Sequence, residues 1–91
     1  MENQHRKIKG YRELSPYEID LMNEIKGLGV TIEQVYDKLQ SHLEAQADAA
    51  DIDEIARLGA AEPTVWADTG KTQLQMGLMA LTRAVAQPAF F

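Results

Sequence analysis

The sequence has no cysteine. That excludes disulfide staples and thiolate metal sites. Its two histidines, His5 and His42, lie far apart. No zinc or di-metal centre is expected, because the usual ligands are nowhere clustered. Long apolar runs are missing too. The longest, residues 76–81, falls far short of the roughly 20 residues that span a bilayer. Residues 1–12 are polar and basic with no apolar region after them. No secretory leader is therefore expected, and a cytoplasmic location is. Strand-type alternation, internal repeats and low-complexity segments are absent. At 91 residues the chain is one domain at most.

Apolar residues make up 45% of the chain, which is not a disordered composition. Charge is unevenly placed. Arg6, Lys7, Lys9 and Arg12 face Glu2 alone in residues 1–12, whereas residues 13–62 hold twelve acids and three bases. The net charge of −5 opposes general binding of duplex DNA. A small anion can still bind where bases concentrate.

A helix start is written at Ser15-Pro16-Tyr17-Glu18. Ser15 can cap, Pro16 suits the first helical position, and Glu18 completes a capping box. Leu21, Ile25, Leu28, Ile32, Val35, Leu39 and His42 follow at alternating steps of four and three, a heptad seam. Met22, Tyr36 and Leu43 form a second stripe beside it, which widens the apolar face beyond a two-stranded coiled coil. His42 reads as a tolerated core residue. Gly27 and Gly29 inside this helix each cost about 1 kcal/mol against alanine, which points to a kink or a close approach.

Two places suit the turn. Residues 48–51 place Asp51 as a cap with Glu54 as its box partner; residues 59–62 place Pro63 first in the next helix. Length matching favours 48–51, giving limbs 16–47 and 52–86 after a basic arm over 1–14. Pro63 would then kink the second limb. That limb carries Leu74, Leu78, Leu81 and Val85, with Gly77, Ala80 and Ala84 as a small-residue face. Gln87-Pro88 ends it, and Phe90-Phe91 forms an apolar tail. The expected fold is all-α: a long, kinked antiparallel hairpin. A hairpin cannot cover stripes this wide, so a symmetric homo-oligomer is expected.

Few residues carry chemistry. In His5-Arg6-Lys7-Ile8-Lys9-Gly10-Tyr11-Arg12, Tyr11 can stack on a base and the cations can meet phosphates. Read without a ligand, and by preference, the same segment is a charged N-terminal arm. Lys26 is a surface lysine with room, beside two glycines, to meet a ligand. Gly70-Lys71-Thr72 ends like a phosphate-binding loop, but Val65 stands where the earlier glycine belongs and no strand precedes it. Trp66 reads as core or interface. No nucleophile–base arrangement suggests itself, so no enzyme is expected.

The block NQHRKIKGYRELSPYEIDLMNEIK, residues 3–26, resembles the opening of the phage anti-CBASS cyclic-oligonucleotide sponges. WADTGKTQLQMGLMALTRAVAQP, residues 66–88, is similar to their second hairpin helix. The resemblance implies a short N-terminal helix within residues 1–14 ahead of the long hairpin, and a compact homohexamer that binds cyclic oligonucleotide messengers, notably 3′,3′-cyclic GMP-AMP, without cleaving them. Host effectors then stay inactive, in the cytoplasm of the infected bacterium. It further implies that Tyr11 stacks on bases and Lys26 meets phosphates, two chains enclosing one cyclic dinucleotide. Arg12 joins them as a helper on charge alone. For a separate cyclic trinucleotide site, Thr69, Gly70, Lys71 and Thr72 are the candidates. No cofactor, metal, duplex nucleic acid or membrane is implied. The alternative is a structural or adaptor helical module with a protein partner. An arm-type nucleic-acid binder and a cyclic-nucleotide hydrolase are weaker readings.

Overall fold

In the computed structural model, residues 12–89 are described. They are all helical apart from short connections: α1 spans Pro16–Asp48, α2 Ile52–Ala61 and α3 Pro63–Ala86. Residues 12–15 are not helical, and the rest of the expected N-terminal arm lies outside the described residues.

Local chemistry sets the helix ends. Ser15 accepts from the Glu18 N–H at 3.2 Å while the Glu18 carboxylate accepts from the Ser15 N–H at 2.9 Å. Two orphan donors of α1 are thereby satisfied, and Pro16 costs nothing because its missing N–H would be unpaired anyway. Asp51 caps α2 by accepting from the Glu54 N–H at 2.9 Å. The expected reciprocal bond is replaced: the Glu54 carboxylate pairs with Arg57 one turn along.

Both places considered for the turn carry a break. Residues 49–51 separate α1 from α2. The kink expected at Pro63 is an interruption at Glu62, whose φ of 52° and ψ of 51° end α2 in the left-handed region. Pro63 then opens α3. Its ring cannot accept a continuing helix behind it, so the chain takes a left-handed step and restarts.

Tertiary packing runs mainly between α1 and α3. They are antiparallel: a Cβ on Gly29 would meet Leu78 Cδ1 at 3.4 Å, and Tyr36 reaches Asp68 further along. The face of α1 turned to α3 is not the whole heptad seam. Met22, Ile25, Gly29, Ile32, Tyr36 and Leu43 are half-buried. Leu28, Val35 and Leu39 stay 54%, 58% and 40% exposed. His42 is exposed as well, which corrects its reading as a core residue. One facing helix covers only part of a stripe this wide. Among the described residues none is fully buried.

A candidate ligand cleft between the paired helices

The α1–α3 register brings two separately chosen lysines together. Lys26 from α1 and Lys71 from α3 line one cleft of about 470 Å³, with Gly29, Tyr36, Gln75 and Leu78 between them. Glu33 and Asp37 line the same cleft. The ammonium groups can meet an anion there, and the carboxylates restrict how much negative charge a guest brings.

Tyr36 organises this cleft. Its hydroxyl donates to Asp68 Oδ1 at 2.5 Å, tying α1 to α3. Its ring lies 4.8 Å below the Lys71 ammonium, measured to the ring centroid. The ring quadrupole attracts the cation and so limits where the long lysine stem can go. The hydrogen bond to Asp68, partial burial and the charges of Asp68 and Asp37 all push the Tyr36 phenol above its ordinary pKa. It therefore stays a protonated donor at neutral pH.

Across Ile32, Tyr36 and Lys71 lies a second cleft, about 350 Å³ in volume, lined by Val35, Leu39, Trp66, Gly70 and Leu74. Trp66 stays 67% exposed within one chain. The four residues 69–72 thus do not share one side. Lys71 borders both clefts and Gly70 only the second. Thr69 donates back to the Val65 carbonyl at 2.8 Å, and Thr72 is exposed. Four consecutive helical residues point round about 300° of the helix, so their side chains fan out over several faces of α3.

Arg12 is engaged by the hairpin itself. Its NH1 donates to Glu18 Oε1 at 3.2 Å, and NH2 donates to Glu18 Oε2 and to the Val85 carbonyl, the latter at 2.6 Å. This bidentate hydrogen bond, then the Ser15 backbone bond, hold the Glu18 carboxyl down at about 2, against its usual 4.5. The same contact raises the Arg12 guanidinium further. Tyr11, the other half of the expected dinucleotide site, lies outside the described residues.

Sequence reasoning missed Tyr36, Gln75 and Glu18 as site or support residues. Tyr36 was visible only as a stripe residue. Its pairing with Asp68 and Lys71 depends on a register between helices that neither helix encodes alone. Among the described residues no group of three or more metal-ligating side chains gathers.

The family model described as the Acb2/Tad1 hairpin domain matches residues 3–86. The chain belongs to that family. It is 42% identical to anti-CBASS protein 2 of Pseudomonas phage JBD67, with 97% of each chain covered. The family match therefore runs through residues 30–62, which separate the two blocks that first carried the resemblance. Within this hairpin family, the cleft bearing Lys26 and Lys71 is built wholly from the matched region.

Proposed function

We propose that this chain is a phage anti-defence protein that binds cyclic oligonucleotide second messengers and sequesters them intact. The observation that carries this reading is the near full-length likeness to a protein named for anti-CBASS action. The cleft supports it, since lysines from two different helices line a space of ligand size. In this reading Lys26 meets a phosphate and Tyr11 stacks on a base, a contact worth roughly 1–3 kcal/mol per base. A two-fold pair of chains then offers two stacks and two phosphate contacts to a cyclic dinucleotide such as 3′,3′-cyclic GMP-AMP. A homohexamer, three such pairs, is the expected assembly. Lys71 and its neighbours are the candidates for a cyclic trinucleotide. Messenger held in the host cytoplasm no longer reaches the CBASS effector. Neither a cofactor nor cleavage is needed for that outcome, which follows from mass action alone.

The exposed residues Leu28, Val35 and Trp66 favour one second reading, an adaptor that packs on a partner protein. Calorimetric titration with 3′,3′-cyclic GMP-AMP separates the two. Half a ligand per chain, recovered intact by chromatography after heat denaturation, is expected. Lys26→Ala is expected to weaken binding by tenfold or more while leaving sedimentation unchanged. No heat with any cyclic di- or trinucleotide would leave the adaptor reading.

A further inference from the structure

The hairpin's open end, away from the turn, is held by side chains rather than by backbone. Residues 12–15 have no helical ladder of their own. Among the contacts that fix them are the capping box at Ser15 and the Arg12 guanidinium. Arg12 forks onto Glu18, three residues inside α1, and onto the Val85 carbonyl in the last turn of α3. Glu18 is itself pinned by the Ser15 N–H, so the fork lands on a rigid anchor. Val85 contributes one of the last four carbonyls of its helix, which have no intrahelical partner and carry the negative end of the helix dipole. A guanidinium satisfies both, because its planar donors match a carboxylate bidentately.

Both protons of the Arg12 NH2 group are thus committed to the protein. The Nε is buried and has no partner among the described residues. The side chains of Arg12 and Glu18 are 36% and 24% exposed, so solvent screens their charges and the bidentate geometry defines the contact. A cation held this way is poorly placed to serve as a ligand's phosphate contact.

We propose that Arg12 and Glu18 are positioning residues. They clamp the root of the basic arm to both helices and so set the point from which Tyr11, the next residue, meets the ligand. This rests on the cyclic-nucleotide reading given above. Its physical content is preorganisation: ordering the arm's root on folding removes that cost from binding. It also reverses the sign expected of Glu18. As a plain anion, Glu18 repels a phosphate, and neutralising it tightens binding. As half of a clamp, its neutralisation weakens binding.

The test is titration of the full chain with 3′,3′-cyclic GMP-AMP. Arg12→Ala, Arg12→Lys and Glu18→Gln are compared alone and in a Tyr11→Ala background, with helicity and sedimentation confirming a folded protein. Arg12→Ala and Glu18→Gln are each expected to weaken binding about tenfold. Arg12→Lys should recover part of it. Neither change should weaken binding further once Tyr11 is Ala, because the clamp acts through that residue. Should Arg12→Ala fold poorly, Glu18→Gln, which keeps the side-chain shape, decides alone. Glu18→Gln that binds normally or more tightly overturns the clamp, as do Arg12 and Tyr11 effects that simply multiply. A wild-type chain that binds no cyclic di- or trinucleotide overturns the function reading, and the positioning role with it.

Discussion

Gly27 and Gly29 are two residues apart on α1, yet the structure treats them differently. A Cβ on Gly29 would sit 3.4 Å from Leu78 Cδ1, at the tight edge of ordinary contact, whereas nothing lies within 4 Å of one on Gly27. The close approach that two helical glycines implied is therefore made at Gly29, by α3. Gly27→Ala is expected to stabilise the protein by up to about 1 kcal/mol, the helix-propensity gain. Gly29→Ala should gain less, because Leu78 has to give way. Thermal unfolding of the two variants checks the order. If Gly27→Ala also lowers ligand affinity, the space beside Lys26 is used by the ligand, and the missing side chain is a functional feature.

At the scale of the elements, the capping residues show how far local chemistry reaches. Ser15, Pro16 and Glu18 start α1 as their spacing predicts. Glu18 then acquires a tertiary partner that no local rule supplies, Arg12, which also grips α3. The consequence for pH has a definite sign. The folded protein holds Glu18 at about 2, below its usual 4.5. Its contribution to stability is complete above about 4.5 and lost as the pH falls towards 2. Urea midpoints measured between pH 6 and pH 2.5 should fall in wild type and fall less steeply in Glu18→Gln. Identical slopes would show that the pair contributes nothing to folding.

The whole molecule is too open to be a finished globule. Its Cα radius of gyration is 19.7 Å, against about 12 Å for a compact domain of this length. It exposes 7359 Å², where a compact monomer of 10.2 kDa exposes about 5,300 Å². The excess, about 2,000 Å² on one chain, is more than twice the roughly 800 Å² that each partner gives to a standard interface. Leu28, Val35 and Leu39 form one exposed apolar row on α1, and Trp66 and Leu74 add to it beside Val35 and Leu39. Val35→Lys is expected to lower the sedimentation coefficient to that of a smaller species, since a charge at a packed interface lacks a partner. Unchanged sedimentation would show that this row makes no subunit contact.

The helical class, the cap at Ser15, the cap at Asp51 and the disruption at Pro63 were legible in the sequence. Each depends on residues within one or two turns, where backbone geometry and hydrogen bonding are local. So was the choice of Lys26 and Lys71 as candidate cations, since a lysine announces its charge wherever it sits. Their meeting in one cleft was not legible. Nor were the Tyr36–Asp68 bond beneath Lys71, the engagement of Arg12 by Val85, or which half of the wide apolar stripe α3 would cover. These follow from the register and rotation of α1 against α3. Many side chains set that rotation jointly, and periodicity along either helix leaves it undetermined.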